Sequence, residues 1–348
     1  MPRSFHLFEI FDICAKFGFC ATIIINLIFI NITVTYIKRI PKSYKRMLIT
    51  FALICIFFAI IELLARPCIH NFNGAVMYFS LNGDEFFSRK GSQSILLFYG
   101  GCYCSLIAFI CVQFVFRFAS VTNHPIQASF SGKPVILWAL YVAGVGLLYG
   151  TMIQMCVQPV KYSDDYMRDE ILSVYGRDIN ATARFISVAY VNGLPSWSGA
   201  IFLASETGIL SSQYLIIIFC ALKMHKAIKH DLNQFSSSNR KLEKQFYYAL
   251  LVQILLPTLL LNLPCGIVLS IPLLETKISC QSGVIYALFS MYPPLDSFAT
   301  MMIVTEYRKC FKECFKDFKE AIIGRSKASE ENSNVHGPNP KRISTTNL

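Results

Sequence analysis

Charge inside the apolar stretches of this chain is scarce. Of its 21 Asp and Glu residues, two lie well within such stretches, Glu62 and Asp296, which argues against a proton or ion relay built on a longer series of titratable groups. No unit of roughly 20 to 50 residues repeats, and no matched pair of broken helices divides the chain into halves, which weakens a transporter reading. Zinc-type Cys and His spacing is missing: Cys102 and Cys104 are too close in a helix, and Cys310 and Cys314 have no His partner. No metal or cofactor is expected. Nor do a nucleophile, a base and an oxyanion donor fall on one face, and there is no cofactor-binding loop, so the sequence does not read as an enzyme. A basic n-region with a short apolar run and a small-residue cleavage site is also lacking, so the first apolar stretch is expected to act as an uncleaved signal anchor, with the chain beginning near Met1.

What is there is apolar length. Hydrophobic residues make up 54% of the chain and aromatics 14%. Seven stretches, about 17–37, 47–65, 94–116, 135–157, 201–222, 246–271 and 282–304, each approach the roughly 20 residues that cross a bilayer core as a helix. Lipid offers backbone amides no partner, so each must be helical. The predicted fold class is an all-α membrane protein, a seven-transmembrane helix bundle.

Charge orients it. Of 32 Lys and Arg residues, 22 fall in the gaps after the first, third and fifth stretches and in the tail; eight acids leave that side at +14, and the remaining residues net −3. Basic loops stay cytoplasmic, which places the N-terminus outside and the C-terminus inside. That is the orientation of a G-protein-coupled receptor and the reverse of insect-type odorant-gated channels. The overall +11 is explained by membrane lipids of the anionic inner leaflet, and nucleic acid is not an expected partner.

Most of the 13 cysteines lie within apolar stretches as small packing residues. Cys68, Cys102, Cys156 and Cys280 are candidates for an outer disulfide. The long outer loop from Gln158 to Glu206 has no Cys, so any bridge must use helix ends. Its mixed charges read as a solvated cap over the helix mouth, and Asn180-Ala181-Thr182 within it is a glycosylation acceptor at Asn180. On the inner side, Phe311, Cys314, Phe315 and Phe318 recur at helical spacing, which predicts an amphipathic helix on the inner leaflet over about 307–323. Cys310 and Cys314 are either palmitoylated there or unmodified interfacial thiols. Residues 1–323 thus form the receptor-like domain and 324–348 a disordered cytoplasmic tail. Its serines and threonines suit phosphorylation and an arrestin-type contact, and Thr346-Asn347-Leu348 fits a PDZ-ligand pattern.

Four ordered blocks between residues 59 and 308 carry a family resemblance. They are Ala59-Ile60-Ile61-Glu62-Leu63-Leu64-Ala65-Arg66-Pro67-Cys68-Ile69-His70; Val112-Gln113-Phe114-Val115-Phe116-Arg117-Phe118; residues 242–257, ending Val252-Gln253-Ile254-Leu255-Leu256-Pro257; and Tyr292-Pro293-Pro294-Leu295-Asp296 continuing to Glu306-Tyr307-Arg308. Together they resemble the nematode Str superfamily of seven-transmembrane chemoreceptors, the class that contains olfactory receptors. Two departures stand out: Arg117-Phe118 where the family usually has Arg-Tyr, and Asp296-Ser297 where Asp-Pro is usual. The resemblance implies a small-molecule ligand such as an odorant and signalling through a heterotrimeric G protein. It also implies residence in the plasma membrane of a sensory-neuron cilium. A ligand-gated ion channel or transporter subunit is the alternative.

The residues support this reading in their own right. Arg117 ends the third stretch, where it is either a coupling switch or a positive-inside anchor. Pro257, with Pro264 beyond it, kinks the sixth helix, either as a lever for activation or merely to shape the cavity. Tyr292, Asp296 and Tyr307 complete the set expected to act in coupling. Toward the outside, Glu62 and Arg66 stand at i, i+4 spacing and are expected to pair and neutralise one another. Tyr99, Tyr103, Asn262 and Tyr286 lie at similar depth and are expected to line a mostly apolar cavity for a small, neutral ligand. The same residues could instead only fasten helix to helix.

Overall fold

The computed structural model describes residues 4–37, 40–82, 87–191, 193–230, 237–274 and 278–313. Long helices follow the apolar runs: α1 (Ser4–Thr35), α2 (Lys42–Ala65), α3 (Arg89–Val121) and α4 (Val135–Cys156). After the shorter α5 (Lys161–Tyr175) come α6 (Trp197–His230), α7 (Ser237–Pro257), α8 (Leu263–Ser270) and α9 (Val284–Ile303). Six spans are long and apolar enough to cross a membrane, α7 and α8 together making one of them. The seventh is α9, whose 20 residues include the Pro293-Pro294 pair and Asp296, and which packs against α1, α2 and α7. Leu137, Leu140, Leu147 and Met155 on α4 and Leu215 and Leu222 on α6 stay exposed, which suits surfaces that face hydrocarbon.

Close approach of α3 and α4 depends on glycine. A Cβ on Gly146 would stand 2.7 Å from the carbonyl oxygen of Gly101, and one on Gly101 would stand 2.9 Å from that of Gly146. The buried apolar residues divide into two clusters. One runs from the roof down the bundle as far as Ile228 and Tyr247; the other, with Phe29, Tyr44, Phe116, Phe246 and Tyr307, sits at the basic end.

The acidic end is roofed by strands that the sequence reading did not anticipate. Strands β1 (Pro67–Phe72), β2 (Ala75–Ser80) and β3 (Arg184–Val188) are joined by the short hairpin β4 (Tyr190–Val191) and β5 (Leu194–Pro195), and by β6 (Ser279–Gln281). The main sheet is antiparallel in the order β3-β2-β1-β6. It begins where α2 stops: Arg66 turns left-handed at φ 39° and Pro67 cannot extend the helix. Asn73-Gly74 then makes the two-residue turn from β1 to β2. Side chains sew the sheet to the bundle, Tyr78 donating to the Leu96 carbonyl at 2.9 Å and Asn71 to that of Val268 at 2.6 Å.

The outer loop is therefore a cap, as expected, but a folded one. Met167, Ile171 and Ile179 are fully buried, and Arg184, 5% exposed, grips both carboxylate oxygens of Asp164 at 2.7 and 2.6 Å. A bidentate pair of this kind holds β3 to α5. Cys68, Cys102, Cys156 and Cys280 are all free thiols. Residues 305–313 are helical beyond α9. Cys314, the continuation of the amphipathic helix to 323, the tail 324–348 and its terminal Thr346-Asn347-Leu348 lie outside the described residues.

Candidate functional site

Under the sheet lies a cavity of about 80 Å³. Ile69, Val76 and Phe185 of the sheet form its roof, and Tyr99, Tyr103 and Tyr286 stand among its walls. The three predicted tyrosines therefore do converge. Tyr99 stacks on Phe58 with ring centroids 5.0 Å apart, and its hydroxyl is buried without a partner among the described residues. Tyr103 stacks on Phe289 at 5.6 Å and donates to Asn262 Oδ1. Asn262 is one layer behind the wall; its amide donates to Tyr214 at 2.5 Å, and Tyr214 shares a hydrogen bond with Thr258 at 2.6 Å.

The predicted Glu62–Arg66 pair does not form. Pro67 ends α2 at Ala65, so Arg66 is off the helix and i, i+4 geometry no longer applies. Its guanidinium crosses to Asp12 of α1 at 2.8 Å, where Lys16 also binds at 2.8 Å. Glu62, buried, accepts from Ser290 of α9. Both residues line a second cleft between α1, α2 and α9, divided from the first cavity by Tyr286.

A third buried acid went unrecognised in the sequence. Glu206 of α6 is 6% exposed, its Oε1 lies 3.5 Å from the Tyr149 hydroxyl, and its Oε2 has no partner among the described residues. Glu206 lies within the apolar stretch 201–222, and α6 starts still earlier, at Trp197, so the acid belongs to the helix and not to the outer loop. The cavity-lining Phe202, one turn before it, carried the missing signal.

At the basic end, Arg117 donates to Glu243 of α7 at 2.6 Å, and its guanidinium lies over the rings of Tyr44 at 4.4 Å and Phe246 at 5.2 Å. Its side chain is 3% exposed, so it is a packed contact between α2, α3 and α7. Between the two ends α7 breaks. The helix stops at Pro257, runs as a π turn over Thr258–Asn262, and resumes at Leu263 with Pro264 in its first turn. Prolines remove backbone donors there, and side-chain bonds such as Thr258 to the Ile254 carbonyl at 2.6 Å take up part of the loss.

Asp296 is buried in α9 and accepts from Gln253 of α7 at 3.2 Å, while its other oxygen and the Tyr292 hydroxyl have no partner among the described residues. Next to it Ser297 donates to Asn26 of α1 at 2.7 Å. Tyr307 shares a hydrogen bond with Thr33 at 2.8 Å and stacks on Phe29 at 5.2 Å, which fastens the segment after α9 to α1. Cys310 packs in the same cluster and is buried, so acylation there would require this segment to swing away. Asn180 is exposed on a turn of the roof, beside the buried Thr182.

Comparison with known proteins gives the family. Residues 11–312 match the family described as serpentine type 7TM GPCR chemoreceptor Str. G-protein coupled receptor str-33 of Caenorhabditis elegans is 38% identical over 308 residues, covering 86% of this chain and 89% of that receptor. Serpentine receptor class r-10 of Caenorhabditis briggsae is 21% identical over 90% of this chain and 92% of its own length. Its namesake in Caenorhabditis elegans is 22% identical over 84% and 87%.

Proposed function

Since this chain belongs to the Str family of serpentine seven-transmembrane chemoreceptors, which is no enzyme class, we propose that it is a chemosensory receptor. In this reading it takes a small, neutral ligand in the cavity under the sheet and signals to a heterotrimeric G protein at its basic end. Chemically the cavity suits such a guest: its walls are mostly aliphatic and aromatic, with Ser187 as a polar residue among them.

The observation that carries the reading is that one interrupted helix reaches both sites. Asn262, at the end of the π turn, is bonded to the cavity wall through Tyr103, and Glu243 on the same helix holds Arg117. They are about 28 Å apart along the axis. A ligand that displaces Tyr103 acts on the break in the helix, and the break is where a small movement becomes a swing of the inner end. Opening the Arg117 contact would expose a cationic and aromatic surface between α2, α3 and α7 for the G protein.

The test is a ligand screen of the chain in cells with a G-protein readout. An active compound should lose about tenfold or more in potency in Tyr103→Ala, which deletes a wall of the cavity, and respond normally in variants of lipid-facing α4 positions such as Leu147→Ala. A ligand-evoked current that persists without G proteins would refute the reading in favour of a channel. Residence in the plasma membrane, at a sensory cilium, belongs to the same proposal and is checked by tagging the chain in the animal.

A further inference from the structure

The cleft on the far side of Tyr286 has charged groups that are unevenly served. It encloses about 60 Å³ between the outer ends of α1, α2 and α9. At its mouth Asp12 accepts from two bases, Lys16 Nζ at 2.8 Å and Arg66 Nη2 at 2.8 Å, which leaves one positive charge in excess. Asp12 is 22% exposed and Lys16 64%, so this pole is wet. Glu62 lies roughly 6 Å deeper along α2. It is 6% exposed, and its one partner among the described residues is the Ser290 hydroxyl. Arg66 is prevented from serving it by the left-handed turn at φ 39° that carries the guanidinium across to α1. Phe11, Phe19 and Leu63 surround the space between the poles. A carboxylate among apolar walls with a single hydroxyl donor lacks both charge and hydrogen bonds.

We propose that this cleft is a second binding site, for a short ω-amino acid. The ammonium of the guest meets Glu62, and its carboxylate meets Arg66 and Lys16. Filling both poles pairs the two separated charges without adding net charge to the bundle. Arg66 and Lys16 are both held on Asp12 of α1 and neither bridges to Glu62, so a guest that reaches both poles needs a methylene spacer; an α-amino acid carries both charges on one carbon and reaches a single pole. The methylenes lie against the aromatic walls, and Tyr286 puts the guest in contact with the ring that also bounds the roofed cavity. Binding here does not depend on the receptor reading, and it is measured without a signalling assay.

The probe is 4-aminobutanoate, titrated into the purified full chain in lipid nanodiscs, with butanoate, butylamine and glycine as comparators. Each charged pole is expected to strengthen binding about tenfold or more, so 4-aminobutanoate should bind at least that much tighter than any comparator. Glu62→Gln should reduce it to the affinity of butanoate, and Arg66→Gln combined with Lys16→Gln to that of butylamine. The proposal is overturned if no probe binds, if any comparator binds as tightly as 4-aminobutanoate, or if both variants keep wild-type affinity. Should a variant fail to fold, the comparison among the probes on the wild-type protein decides alone.

Discussion

Arg117 is held on three sides, by the Glu243 carboxylate and by the rings of Tyr44 and Phe246. Removing the guanidinium deletes the cation that the G protein would meet; removing the carboxylate only loosens its tie to α7, since each ring contact retains about 1 kcal/mol. Arg117→Ala should therefore reach the cell surface and lose G-protein activation, whereas Glu243→Gln should raise basal activation several-fold. Surface labelling and a nucleotide-exchange assay on the same membranes check both. Unchanged signalling in Arg117→Ala would reduce that residue to an anchor. Arg117 was legible in the sequence as a base at the inner end of a helix, but its partner was not, because Glu243 is 126 residues away and no local spacing links the two. The Glu62–Arg66 pair failed for the opposite reason: local spacing was trusted where Pro67 already marked the end of the helix.

At the scale of elements, the roof depends on one buried imidazole. His70 of β1 places Nε2 3.1 Å from Glu170 and Nδ1 3.3 Å from the Tyr175 hydroxyl, so it joins the sheet to α5; Cys68 also approaches Tyr175. Burial holds His70 below its ordinary value of 6.5, opposed in part by Glu170. As pH falls through 6.5 the unfolded segment takes up this proton more readily than the folded one. The stability His70 lends is thus complete above that value and declines as pH falls. Hydrogen exchange of the α5 amides, corrected for the intrinsic rate, should accelerate between pH 7 and 5 in wild type and much less in His70→Gln. Equal acceleration in both would assign the effect elsewhere. The helices themselves were readable because a membrane span is a long local signal. The strands were not: β1 and β2 are buried on both faces, which erases alternation, and β3 pairs with β2 across more than 100 residues. The Asn73-Gly74 turn was the one local cue.

For the whole molecule, charge topology and fold agree that the basic ends of the helices lie on one side and the roof on the other. Asn180, exposed on the roof, should then carry a glycan, and Asn180→Gln should migrate as glycosidase-treated wild type does. An unglycosylated wild type with its C-terminal tag accessible from outside would invert the topology. The central claim is that Arg117 and Glu243 restrain α7, and that releasing α7 opens the face a G protein recognises. It is tested most directly by spin labels at Thr122 on the end of α3 and Lys241 near the start of α7, read by pulsed resonance in nanodiscs. Glu243→Gln should add a population of longer distances relative to the wild-type pair, together with faster basal nucleotide exchange on added G protein. Identical distance distributions with identical exchange rates would contradict the account.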